Sequence, residues 1–147
     1  MEDWTIRRAE GRDADGLGRC IDAAYADYAA RIDDLPPVSE DCAGEIARHV
    51  VWVAEAGGAI VGGLVLVPSD GFLLLANVAV HPDHRGTGLG RRLLTLAETE
   101  AVDRGYPELR LTTHADMPET IRLYARNGWV QVSQEGKKVR MRKVLAG

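Results

Sequence analysis

One segment of the chain, from Val78 to Leu94, joins an apolar strand, a loop with three glycines and an amphipathic helix. The three glycines lie between Arg85 and Arg91 and lack the Cβ atoms that would keep an anion away from the backbone. Successive N–H groups and the positive end of the helix can then face one point. The two arginines add permanent positive charge. The segment therefore predicts a binding site for a diphosphate.

The spacing in this loop differs from that of the two common phosphate-binding loops, G-x-G-x-x-G and G-x-x-x-x-G-K-[ST]. Instead, Arg85-x-x-Gly88-x-Gly90 follows an apolar strand and the pair His81-Pro82. This pattern resembles the acyl-CoA signature of the GNAT superfamily of N-acyltransferases. The resemblance implies acetyl-CoA as co-substrate, contacted by Val78, Ala79, Val80, Arg85, Gly86, Thr87, Gly88, Leu89, Gly90 and Arg91. The structural alternative is a plain helix N-terminus after a mobile loop.

A second motif lies about thirty residues further along, where Leu123-Tyr-Ala-Arg-Asn-Gly-Trp129 is similar to the L-Y-x-x-x-G-F/W element of the same superfamily. In that element the tyrosine lies near the coenzyme sulfur. A phenol, with an ordinary pKa of ~10, can protonate a departing thiolate. The resemblance thus implies that Tyr124 is a general acid. The alternative is a core tyrosine whose hydroxyl is merely hydrogen-bonded.

The order of the predicted elements also resembles the GNAT fold over nearly the whole chain. Hydrophobic periodicity predicts a strand from Trp4, a helix capped by Asp13, and a short helix ending near His49. A hairpin at Gly57-Gly58, a central strand from Phe72 to Val80 and the helix after the glycine loop follow. The fold class is therefore α/β (α+β), with a mainly antiparallel sheet of about seven strands and about four helices. Residues 1–147 are expected to form a single domain.

The resemblance also implies that strands 4 and 5 are parallel and splayed, with a bulge in strand 4 at Ala76-Asn-Val78. Such a bulge frees a backbone N–H for the thioester carbonyl. Backbone groups of Val78 and Val80 would pair with the pantetheine amides like an added strand. The asparagine that often holds the pantetheine arm is replaced here by Met117 or Thr120, depending on the spacing considered.

The site also needs a group that removes the acceptor's proton. A primary amine has a pKa near 10.4, so ~4.6 kcal/mol separates its protonated from its neutral form at pH 7. Many GNAT proteins place a glutamate on strand 4, but this strand offers only leucines before Ala76 and Asn77. His114, after the fifth strand, is the first candidate for the base. Water, Glu40 and Asp41 are the alternatives.

Composition narrows the partners. Residues 1–84 carry 15 acidic and 6 basic side chains, whereas residues 85–147 carry 7 acidic and 12 basic ones. This asymmetry suits an anionic cofactor and a cationic acceptor, although solvated surface charge explains it nearly as well. The acidic total argues against nucleic-acid binding.

No apolar stretch reaches the ~20 residues of a membrane span, so a cytoplasmic protein is expected. Cys20 and Cys42 lack the spacing of metal ligands, and no metal is expected.

The sequence therefore predicts an acetyl-CoA-dependent N-acetyltransferase in which a small-molecule amine attacks the thioester directly in a ternary complex. Acetylation of protein N-termini or lysines is the second hypothesis. A noncatalytic acyl-CoA sensor or interaction module is the third, because the strand-4 glutamate and the pantetheine asparagine are both missing. The resemblance also allows a homodimer.

Overall fold

The structure, a computed structural model, describes residues 4–31 and 41–145. Seven strands form one sheet in the order β1-β2-β3-β4-β5-β7-β6. The strands are β1 (Thr5–Arg8), β2 (Val50–Ala56), β3 (Ala59–Pro68), β4 (Leu73–Val80), β5 (Glu108–His114), β6 (Val130–Glu135) and β7 (Lys138–Val144). The helices are α1 (Ala14–Arg31), α2 (Cys42–Arg48), α3 (Leu89–Asp103) and α4 (Pro118–Arg126).

The sheet is antiparallel except where β4 meets β5. This parallel pair requires a crossover, which α3 provides between the two strands. The predicted α/β class, the seven-stranded sheet, the four helices and the parallel pair at strands 4 and 5 are therefore confirmed.

Each face of the sheet carries its own apolar cluster, because successive strand residues point to opposite sides. Leu64 and Leu66 of β3 pack with Leu89 and Leu93 of α3. Val65, which lies between them, belongs instead to the cluster of α1 and α2. α3 and α1 thus cover opposite faces near the centre of the sheet.

Local turn signals act as expected. Gly57 and Gly58 have φ angles of 57° and 84°, the double positive φ of a tight hairpin, and they connect β2 to β3. Pro118 begins α4, where a missing N–H costs no helical hydrogen bond. No helix in the described part of the chain is long and apolar enough to cross a membrane.

Two expectations need correction. The central strand β4 begins at Leu73 and not at Phe72, and Ala76 within it is exposed at an irregularity in the pairing with β3. Asp13 precedes α1 as predicted, but its carboxylate serves another purpose. It accepts two hydrogen bonds from Arg7, at 2.8 and 2.9 Å, and one from the backbone N–H of Glu10. Hydrogen bonding to Arg7 lowers the pKa of Asp13 to about 2. Asp13 thus ties β1 to the start of α1.

Candidate active site

The centre of the candidate site is the point where β4 separates from β5. Only Leu73 and Leu74 of β4 pair with β5, and the rest of that β4 edge lacks a strand partner in the described chain. On the other edge, the register of β3 shifts between Val65 and Leu66, which leaves Ala76 without an opposite residue. The predicted bulge therefore lies at Ala76, just beyond the last β4–β5 pair.

The glycine loop occupies the far end of β4. Gly86 and Gly88 have φ angles of 80° and 89°, and a Cβ built on either would meet nothing within 4 Å. Gly88 is the N-cap of α3 and provides no side chain to accept from the first turn. The leading N–H groups of a helix have no partner within the helix, so these donors face open space. A diphosphate is a ligand of matching size and charge.

Arg85 joins this loop to α1. Its Nη2 donates to the backbone carbonyl of Ala24 at 2.8 Å. Within the loop, the hydroxyl of Thr87 donates to the carbonyl of His84 at 2.7 Å. A guanidinium has five N–H donors, so the bond to Ala24 leaves others for a phosphate. Arg91 is exposed on the first turn of α3. The loop thus fits an anion, with one arginine anchored and one directed to solvent.

Tyr124 is buried on α4, with 5% of its surface exposed, and its ring lies 5.6 Å from that of Trp129. Burial, and then proximity to Tyr25, raises the pKa of Tyr124 above the ordinary range, so the hydroxyl stays protonated. No hydrogen-bond partner for this hydroxyl is found within residues 4–31 and 41–145. The side chain is thus buried, but its hydroxyl has no protein partner in this part of the chain and is not among the buried polar atoms left unpaired there, unlike the satisfied core tyrosine of the structural alternative.

His114 is the last residue of β5, and its side chain is 11% exposed. Its Nδ1 accepts the backbone N–H of Asp116 at 3.0 Å, so the neutral ring carries its hydrogen on Nε2. Of the two acidic alternatives, Asp41 caps α2 by accepting from Gly44 and pairs with Arg48 at 3.0 Å. Glu40 lies outside the described residues.

Two tyrosines of α1 that the sequence analysis does not single out have polar contacts at the site. Tyr25 of α1 donates to the side-chain oxygen of Asn77 on β4 at 3.2 Å. One turn later, Tyr28 donates to Glu119 of α4 at 3.1 Å. Sequence analysis missed these roles because helical spacing predicts which side chains are buried but not which group a tyrosine hydroxyl contacts. The polar Asn77 in an apolar strand was the available signal.

The match to known proteins agrees with this geometry. Residues 19–129 match the Acetyltransferase (GNAT) family. The chain belongs to this family. GNAT proteins use acetyl-CoA, and the glycine loop and the free edge of β4 are the parts of this chain that fit it.

Two relatives and one solved structure illustrate the similarity. The chain is 35% identical over 137 residues to a mycothiol acetyltransferase of Nocardia farcinica (strain IFM 10152), covering 87% of this chain and 42% of that protein. It is 28% identical over 137 residues to the uncharacterized N-acetyltransferase YjgM of Escherichia coli (strain K12), covering 86% and 82%. The chain thus spans less than half the length of the mycothiol acetyltransferase.

The solved structure is the PaiA N-acetyltransferase of Thermoplasma acidophilum in complex with coenzyme A. It superposes with a TM-score of 0.85 at 21% identity, covering 98% of this chain and 100% of that chain. This likeness establishes the shared fold.

The two positions near the start of α4 at which GNAT proteins often carry an asparagine hold Met117 and Thr120 in this chain. Met117 is 4% exposed and belongs to the buried apolar set. The hydroxyl of Thr120 lies 3.4 Å from that of Tyr28, so it also faces α1. In the described part of the chain, no group of three or more His, Cys, Asp or Glu side chains is arranged to hold a metal ion.

The loop geometry separates two glycines that look equivalent in the sequence. A valine at Gly88 would strain the backbone, because φ there is 89°. A Cβ at Gly90 would meet only Val80, at an ordinary 3.7 Å. Gly90→Val should therefore fold and yet weaken acetyl-CoA binding at least about tenfold, because its side chain narrows the space beside the N–H donors.

Isothermal titration with acetyl-CoA measures this effect. Gly11→Val is the matched control. A Cβ at Gly11 would meet nothing within 4 Å, and Gly11 lies before α1, outside the glycine loop. Parental affinity in a folded Gly90→Val protein would contradict the assignment of the loop.

Proposed function

We propose that this chain transfers the acetyl group of acetyl-CoA to a primary amine of a small molecule, by direct attack in a ternary complex. The observation that carries the proposal is the separation of β4 from β5 beside the Ala76 bulge, on the strand that leads into the glycine loop. The relatives named mycothiol acetyltransferase support a small-molecule acceptor.

The β4 backbone has two tasks in this proposal. The N–H of Val78, two residues after the bulged Ala76, donates to the thioester oxygen as negative charge develops there. Groups of Val78, Ala79 and Val80 on the edge that β5 leaves open hold the pantetheine amides. The loop from Arg85 to Arg91 holds the diphosphate. The donor thus lies extended along β4 with its thioester at the bulge.

Tyr124 donates its proton to the departing sulfur. Burial raises the pKa of this phenol, which makes it a weaker acid. The same desolvation makes a nearby thiolate a stronger base, so the two effects on the proton transfer oppose each other. The hydroxyl has no competing acceptor in the described part of the chain. This arrangement supports a general acid.

The function is tested with a panel of amines in an assay that follows release of the coenzyme A thiol. Small metabolite and drug-like amines should support steady release, and peptides with free N-termini or lysines should support less. Preference for the peptides would favour protein acetylation. No release with any amine, despite measured acetyl-CoA binding, would favour the noncatalytic sensor.

Replacing the hydroxyl of Tyr124 separates chemistry from binding. Tyr124→Phe should lower kcat by roughly 10²-fold, because proton donation matters chiefly in the transition state. The ring remains, so acetyl-CoA affinity should stay within about threefold and stability should change by at most ~0.5–1.5 kcal/mol. Thiol release, isothermal titration with acetyl-CoA and thermal melting measure kcat, the affinity and the stability, respectively. Parental kcat with chemistry rate-limiting would exclude the general acid.

His114 is the proposed acceptor of the amine proton. To accept it at Nδ1, the ring must give up the hydrogen bond from the N–H of Asp116. His114→Ala should lower kcat/KM and remove an ascending limb from the pH profile. A variant with the parental pH profile would assign the proton to water or to a carboxylate.

A further inference from the structure

Asn77 occupies the position on β4 from which a side chain can reach an acceptor. It follows the bulged residue Ala76 and lies beyond the last residue that pairs with β5. Asn77 and Ala79 share a face of the strand, since strand side chains alternate. Ala79 packs in the cluster of α1, so Asn77 points to the side of the sheet that α1 covers.

Tyr25 fixes the orientation of the Asn77 amide. Its hydroxyl donates to Oδ1 at 3.2 Å from α1. Burial raises the pKa of Tyr25 to about 12, so at neutral pH the hydroxyl keeps its proton and remains a donor. An amide oxygen has two lone pairs, and in the described part of the chain no donor other than Tyr25 reaches this one. One acceptor position on Oδ1 therefore remains for a ligand N–H.

An amide oxygen and a carboxylate treat an amine differently. A carboxylate attracts the ammonium form by charge and holds its proton, whereas a neutral amide accepts an N–H without that charge. β4 carries no carboxylate between Leu73 and Val80. Glu119 of α4 accepts a hydrogen bond from Tyr28, one helical turn beyond Tyr25. The burial of Tyr25 and Tyr124 further disfavours a positive charge among them.

We infer that Asn77 Oδ1 accepts an N–H from the uncharged acceptor amine, with Tyr25 as the positioning residue, so that the site selects weakly basic amines, such as α-amino groups, over simple alkylamines. This inference rests on the proposed function and specifies its acceptor class. The bound amine keeps its lone pair for the thioester carbon. The proton released on forming the amide bond then passes to the base, and the thiolate takes the Tyr124 proton.

The size of the preference follows from ionisation. An alkylamine with a pKa of ~10.4 is about 0.04% uncharged at pH 7, whereas an α-amino group with a pKa of ~8 is about 10% uncharged. A site that binds only the uncharged form should therefore prefer the α-amino compound roughly 200-fold in kcat/KM.

The experiment compares size-matched amine pairs, such as glycinamide with n-propylamine, by thiol release from acetyl-CoA at pH 7. The expected result is a preference of roughly 10²-fold for the member with the less basic amine. Equal use of both members would overturn the inference and leave the proposed function intact. Release with neither these nor any other amine would contradict both.

Variants test the two residues directly. Asn77→Asp keeps an oxygen for Tyr25 but adds a negative charge, so it should reduce the preference at least about tenfold by admitting ammonium forms. Tyr25→Phe should lower kcat/KM for the amine about tenfold and leave the KM of acetyl-CoA unchanged. Adding Tyr25→Phe to Asn77→Ala should cause no further loss, because one residue acts through the other.

Tyr106→Phe is the matched control, because this half-buried tyrosine precedes β5, at the end of that strand opposite His114. It should retain parental activity and selectivity. An unchanged amine preference in folded Asn77→Asp would overturn the inference. If Asn77→Asp does not fold, additive losses of kcat/KM in the double-mutant cycle of Tyr25→Phe and Asn77→Ala would overturn the inference.

Discussion

The early separation of β4 from β5 is the constraint on which the other parts of the site depend. Two strands that stayed paired to their ends would satisfy each other's backbone and leave no edge for an extended ligand. Here the pairing stops after Leu74, and the bulge at Ala76 follows within two residues. Backbone donors and a widening gap therefore occur together. α3, which crosses from β4 to β5, carries the glycine loop at its start.

The two sides of the sheet supply different chemistry to this gap. The loop before α3 offers N–H groups and arginines, which suit the anionic end of a coenzyme. On the α1 side, hydroxyl groups reach β4 and α4 through Asn77 and Glu119. Tyr124 is close enough to Tyr25 that Tyr25, after burial, contributes to raising the pKa of Tyr124. In the proposed mechanism, Tyr124 thus connects the acetyl donor to the acceptor side of the site.

Much of this fold could be predicted from the sequence, because its elements have strong local signals. Gly57-Gly58, Pro118 and the apolar strand before the loop each specify local backbone geometry without help from distant residues. The family resemblance extended those predictions to the parallel pair and the bulge, which no local pattern indicates.

Contacts between distant residues could not be predicted in the same way. Tyr25 and Asn77 are 52 positions apart, and only the packing of α1 on the sheet brings them together. Asp13 looks like a helix cap in the sequence, yet Arg7 engages its carboxylate. In both cases a side chain has several possible partners, and the tertiary structure determines which one it contacts. The sequence likewise does not indicate that Nδ1 of His114, the proposed base, accepts a hydrogen bond from the backbone N–H of Asp116.

The bond between Arg85 and Ala24 has an entropic consequence. A loop rich in glycine has many backbone conformations in the free state, and ordering each residue costs roughly 1–2 kcal/mol. Arg85 bridges 61 positions to α1, and Thr87 closes the loop on His84. These contacts restrict the loop when the chain folds, before any ligand arrives. The coenzyme then meets donors that are already in place, and less of its binding free energy is spent on ordering the protein.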